Sequence, residues 1–265
     1  MAEIARKPFL TAEWRHLAML NYAIDPSILA PRVPTGTELD FHEGETFVSV
    51  VGFLFLRTRV LGVPIPLHRN FEEVNLRFYV RRQTSEGWRR GVTFVRELVP
   101  RRGIATVARV FYDEPYLAVP MRHSLSQGAN EVAVQYQWWR GERWETLGMT
   151  AGEPNAAAPG SHEEFITEHY WGYTRRSAGT SEYGVEHERW LLRPATAWTL
   201  DANVASLYGE IFVETLRSAP TSAFLAEGSP VIVRQGARLP IERLTPAMSE
   251  ELRRNAISPA RHRMN

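Results

Sequence analysis

The chain has no cysteine, and of its 31 basic side chains one alone, Lys7, is a lysine. Without thiols there are no disulfides, thiolate nucleophiles, zinc–thiolate centres or iron–sulfur clusters. A single lysine leaves amine catalysis little room. A Schiff base needs a desolvated lysine in a pocket, and Lys7 lies in a polar N-terminal segment just before Pro8. Genomic base composition explains the arginine excess more simply than selection for guanidinium, since arginine replaces lysine on most surfaces.

Charge of one sign is also lacking. With 31 basic and 30 acidic side chains the formal net charge is +1, so there is no overall field to recruit a polyanion, and neither nucleic acid nor membrane is expected as a partner. The longest apolar run, residues 47–56, is about half the ~20 residues a membrane helix needs. The first residues lack a signal peptide's apolar region, and the expected location is cytoplasmic. The pairs His42-Glu43, His162-Glu163 and His187-Glu188 each lack the second histidine of a zinc-protease helix. Gly-x-Ser-x-Gly, a phosphate-binding loop and a dinucleotide fingerprint are missing too. Neither a metal nor a cofactor is expected.

What is there is an ordinary globular composition, 44% hydrophobic and 23% charged, over 265 residues. That length suits one large β-rich domain. Residues 1–8 are expected to be loose, 9–244 to form the domain, and 245–265 to add a C-terminal helix and tail. Strand patterns cover 14–24, 47–56, 73–80, 92–99, 104–111, 132–139, 143–150, 183–192 and 230–234. Short helical signals follow Asp25-Pro26, start at Ser161 with Glu164 three residues on, and cover 203–208. The segment LGVPIPLHRN carries two prolines in alternation and suits a sheet edge or a loop over a pocket. Residues 152–160 read as a loop.

The strand from Glu73 to Val80 alternates strictly, placing Glu73, Asn75, Arg77 and Tyr79 on one face. Two readings stand: the inward wall of a barrel pocket, or the wet face of an antiparallel sheet, which composition slightly favours. A second cluster runs Glu168-His169-Tyr170-Trp171. There a hydrogen-bonded structural histidine is the default, with a binding role for His169, Tyr170 and Trp171 beside it.

Taken in order, Trp14-Arg15-His16-Leu17, Asp25-Pro26, Arg32-Val33-Pro34, Phe71-Glu72-Glu73-Val74-Asn75, Ala108-Arg109 and Glu114-Pro115-Tyr116 resemble the acetoacetate decarboxylase-like superfamily. Together with EHYWGY they resemble an uncharacterised bacterial family within it, from about Phe9 to Pro240. The resemblance implies a mainly β, cone-shaped closed barrel with a flanking antiparallel sheet, a few short helices and a pocket inside the cone. It also implies that Arg15 matches the decarboxylase's pocket arginine and Glu73 its pocket glutamate. The motif Gly-Arg-Glu…Pro-Lys-Lys corresponds to Ala108-Arg109-Val110…Pro115-Tyr116-Leu117. Tyr116 therefore stands at the Schiff-base lysine and Leu117 at the lysine that lowers its pKa. A tyrosine forms no imine, so amine-catalysed decarboxylation is not expected.

The expected site then comprises Glu73 and Tyr116 for acid–base work and Arg15, Asn75, Arg77, Arg109, His169, Tyr170 and Trp171 for binding. The expected function is a barrel binding a small oxo acid or other carbonyl or carboxylate compound, with lysine-independent lyase, hydratase or isomerase chemistry. The alternatives are a non-catalytic ligand-binding or sensing protein, and a filled scaffold. A small-molecule ligand is the expected partner, and a homo-oligomer is compatible with the sequence.

Overall fold

The computed structural model describes residues 6–64, 66, 68–100, 115–177 and 179–239. The strand expected over 104–111 and the helix expected near the C-terminus lie outside the described residues. The strands are β1 (Pro8–Ile24), β2 (Glu38–Leu39), β3 (Thr46–Val60), β4 (Val63–Pro64), β5 (Phe71–Thr84), β6 (Gly87–Val99), β7 (Tyr116–Ala118) and β8 (Met121–Gln127). They continue with β9 (Val132–Trp139), β10 (Trp144–Ala151), β11 (Asn155–Ala156), β12 (Trp171–Arg176), β13 (Gly179–His187), β14 (Leu191–Asp201), β15 (Ser222–Arg234) and β16 (Ala237–Leu239). Short helices are α1 (Pro26–Leu29), α2 (His162–Thr167), α3 (Val204–Tyr208) and α4 (Val213–Arg217).

Two differences from the sequence reading have local causes. The strand expected over 183–192 is two elements, β13 and β14, separated by a break that turns the buried Trp190 to the interior. Strand β8 was not anticipated because MRHSLSQ is polar and largely exposed, an edge strand with no alternation to betray it.

The hydrogen-bonded order β13-β12-β6-β5-β3-β1-β15 returns to β13, because Val185, Glu186 and His187 pair with β15. The expected barrel is thus a ring of pairings, whose junctions at β13–β15 and at the parallel β12–β6 contact are short. Alternation along β5 divides its side chains between two cores: Val74, Leu76, Phe78 and Val80 pack in one, Phe71 and Tyr79 in the other. The first core lies against the antiparallel sheet β8-β9-β10-β14, through Val134, Tyr136, Trp138 and Leu147, and takes in α3 and α4. The second fills the inside of the ring with Met19, Val51, Phe53 and Phe55, and α2 adds Phe165 and Ile166. Ser161 caps α2 as expected, its side chain accepting from the Glu164 amide at 3.2 Å.

Strands β1 and β3 each carry a bulge against the other. The β1–β3 register shifts between Arg15 and Ala18 and between Thr11 and Glu13, and the bulged residues His16 and Arg57 both have φ +55°. Each bulge inserts one residue and so reverses which parity faces inward. On β1 the inward residues change from Ala12 and Trp14 to Leu17 and Met19.

Candidate functional site

A cavity of about 290 Å³ opens on the inner face of the ring. Its walls are aromatic, including Trp14, Phe53, Phe55, Phe71, Phe94 and Trp190. Glu73, Asn75, Arg77, Tyr116, His169 and Trp171 all line it, so one strand face and one distant cluster in the sequence meet around a single space. Glu73 and Asn75 are each 2% exposed. The face that composition inclined toward solvent is a buried pocket wall. Alternation makes two faces, but the covering strands decide that the polar one is dry as well.

The polar end is ordered by short contacts. Asn75 Nδ2 donates to Glu73 Oε1 at 2.9 Å, and the Tyr116 hydroxyl donates to Glu73 Oε2 at 3.3 Å. Asn75 pairs across the ladder with Glu97 of β6, and Glu97 with Tyr116 of β7, which brings Glu97, 1% exposed, to the same lining. Arg77 Nη2 donates to the Ile166 carbonyl at 3.3 Å, and its guanidinium carbon lies 5.6 Å from the centre of the Tyr79 ring. The Tyr79 hydroxyl meets Ser49 Oγ at 2.6 Å, and Ser49 donates to Asn21, a polar chain running through the sheet.

His169 is held from behind. Its Nε2 lies 3.3 Å from Asp40 Oδ2, which also accepts from Arg90 Nε at 2.6 Å. Burial pushes the His169 pKa down to about 4; the hydrogen bond to Asp40 opposes this and the Arg90 charge assists it. At neutral pH the ring is uncharged. Asp40 is itself lowered: burial works to raise it, but its bonds to His169 and Arg90 outweigh that.

Other expected residues do not converge. Arg15 does not line the cavity: it pairs with Glu13 at 3.0 Å and donates to the Gly228 carbonyl at 3.1 Å. The cause is parity, since ahead of the His16 bulge it is Trp14 that points inward. Tyr170 lies outside the lining, donating to Glu168 Oε2 at 2.5 Å and stacking on His187 at 4.7 Å between ring centres. His187 does reach the cavity, stacked on its other side against Trp190 at 4.2 Å. Arg109 lies outside the described residues. Sequence reading missed Glu97, whose signal was a carboxylate within the strand pattern 92–99, and Asp40, which had none. Among the described residues no three His, Asp or Glu side chains come together as metal ligands.

Comparison with known proteins fits this architecture. The family model DUF2071, described as "Uncharacterized conserved protein (COG2071)", matches residues 11–230. The "Uncharacterized protein YqjF" of Bacillus subtilis (strain 168) is 29% identical over 186 residues, covering 69% of this chain and 75% of the relative. Among solved structures, an acetoacetate decarboxylase-like enzyme from Sphingomonas wittichii RW1 superposes with a TM-score of 0.62 at 12% identity, over 88% of this chain and 94% of that one. The enduracididine biosynthesis enzyme MppR complexed with pyruvate gives a TM-score of 0.60 at 11% identity, over 89% and 92%. The fold is therefore acetoacetate decarboxylase-like.

Proposed function

The chain belongs to the DUF2071 family, and we propose that its cavity binds a small carbonyl compound with an apolar body and carries out acid–base chemistry beside the carbonyl without a lysine. The observation that carries this reading is the meeting of Glu73, Tyr116 and Arg77 at the polar end of an aromatic-walled cavity of about 290 Å³. That volume is at the lower edge of the roughly 300–1,000 Å³ usual for small-molecule sites. The fold relatives, one of them complexed with pyruvate, make an oxo compound a natural first candidate.

In this reading Arg77 takes the role that the sequence assigned to Arg15. Its guanidinium donates to the carbonyl oxygen and stabilises the negative charge that develops there. Glu73, fixed by Asn75 and Tyr116, takes a proton from the α-carbon while the C–H electron pair moves into the enolate and onto that oxygen. Return of the proton to carbon gives isomerisation; alternatively the enolate re-forms the C=O and its electron pair makes the C=C as the β C–O bond breaks, the hydroxyl leaving as water with the proton from Glu73, which gives dehydration. Tyr116, a phenol that forms no imine, serves as a hydrogen-bond donor to Glu73.

A thermal-shift screen of oxo acids, hydroxy acids and neutral carbonyl compounds tests binding, with wild type compared against Arg77→Met. A ligand that binds the folded state alone raises the melting temperature, and the shift is expected in wild type and not in the variant. Turnover is tested by exchange of the ligand's α-protons in D₂O, expected in wild type and lost in Glu73→Gln. A second reading, ligand binding without turnover, is favoured by the aromatic excess in the lining, and it predicts the thermal shift with no exchange in either protein.

A further inference from the structure

The polar end of the cavity fixes the hydrogen-bonding sense of what it holds. Among the described residues, Asn75 Oδ1, His169 Nδ1 and Arg77 Nε are buried side-chain atoms with no hydrogen-bond partner. All three residues line the cavity, at 2%, 6% and 9% exposure.

The identity of each atom follows from its neighbours. A carboxylate only accepts, so the Asn75 amide must present its NH₂ to Glu73, and the oxygen is what remains. By the same reasoning the His169 nitrogen facing Asp40 carries the proton. With the ring neutral, Nδ1 is then a bare lone pair. Arg77 Nε can only donate. At these three residues two acceptors and one donor are thus left without partners in a setting where an unmade bond is costly, and in the same lining Trp14 Nε1, a donor, and the Thr58 hydroxyl are buried without partners too.

An oxo group answers Arg77 but offers nothing to the two acceptors. A hydroxyl beside a carbonyl answers both kinds. Its proton serves Asn75 Oδ1 or His169 Nδ1, the neighbouring C=O takes Arg77 Nε–H, and an aryl or alkyl body lies against Trp14, Phe55 and Trp190. Deepening the reading above and resting on it, we infer that this cavity selects α-hydroxy carbonyl compounds with an apolar substituent, and that Asp40 is a positioning residue that sets the His169 tautomer to read the hydroxyl proton.

Wild-type protein titrated with four neutral ketones tests the inference: 2-hydroxyacetophenone, propiophenone (methyl in place of hydroxyl), 2-methoxyacetophenone (oxygen kept, proton removed) and acetophenone. The hydroxy ketone is expected to bind at least about tenfold more tightly than each of the others, the cost of one buried acceptor left unpaired. In His169→Phe, checked for folding by its melting curve, that ratio is expected to fall to about threefold or less, since one acceptor is gone. Equal affinity of wild type for 2-hydroxyacetophenone and propiophenone overturns the inference, as does a methoxy ketone that binds as well as the hydroxy ketone. Failure of all four ketones while oxo acids still give an Arg77-dependent thermal shift overturns the hydroxyl selection and leaves the proposed function standing. Failure of every compound class removes both. An undiminished ratio in a folded His169→Phe variant overturns the role given to His169 and Asp40.

Discussion

His169 and Asp40, 129 positions apart in the chain, meet at 3.3 Å behind the cavity, each side chain 2% exposed. The contact joins a loop after β2 to the segment between α2 and β12, and it makes a charged group the support of a neutral one. Arg90 supplies the cation that Asp40 needs, so the imidazole stays uncharged.

That arrangement has a pH signature. An unfolded histidine takes a proton near pH 6.5, whereas His169 in the fold resists it down to about 4 because of burial. Between those values the unfolded state binds more protons. Its contribution to stability is therefore full above about pH 7 and lost as pH falls toward 4, by up to roughly 3 kcal/mol. Melting temperatures across this range should fall with acidification in wild type and less steeply in His169→Phe. His16, His162 and His187 are also lowered by burial, so part of the slope remains. Identical slopes in the two proteins would contradict a neutral buried His169.

The β1 bulge depends on glycine in the neighbouring strand. Gly228, at φ +80°, pairs with Arg15, and a Cβ there would lie 2.0 Å from the Trp14 carbonyl oxygen. Gly228→Ala should cost at least about 2 kcal/mol from backbone strain and overlap. That corresponds to a fall in melting temperature on the order of 5 °C, and because Trp14 lines the cavity, ligand shifts should shrink too. A variant that melts with wild type would show that the bulge relaxes freely.

Glu145 holds the second sheet to α3. Buried at 1% exposure, it accepts from Trp138 Nε1 at 2.7 Å and from the Asn203 amide at 2.9 Å. Glu145→Leu leaves the buried Trp138 indole N–H and the part-buried Asn203 amide unmatched and should destabilise by about 2–3 kcal/mol in urea unfolding, with Glu145→Gln losing distinctly less. Equal losses would place the effect in packing and not in these bonds.

Imine chemistry should be absent from the cavity. Borohydride reduction in the presence of acetoacetate is expected to leave the cavity peptides unmodified in a mass spectrum, with any adduct confined to Lys7 or the N-terminal amine. Trapping at Lys7 together with loss of turnover in Lys7→Ala would restore the Schiff-base mechanism.

Some of this protein was decided by the sequence alone. One lysine, at position 7, confines side-chain imine chemistry to a single position, because no other side chain makes an imine. Strict alternation from Glu73 to Val80 assigns residues to two faces, and Ser161 with Glu164 starts a helix, since both effects are local. Tertiary structure decided the rest. That the polar face of β5 is dry as well as the apolar one depends on the strands that close around it. Arg15 leaves the site because one left-handed residue, His16, reverses the parity of β1. Asp40 and Glu97 join it through contacts that sequence spacing does not encode. Local periodicity fixes what a residue's neighbours on its own strand are, but the burial that turns polar side chains into a site comes from segments far away in the chain.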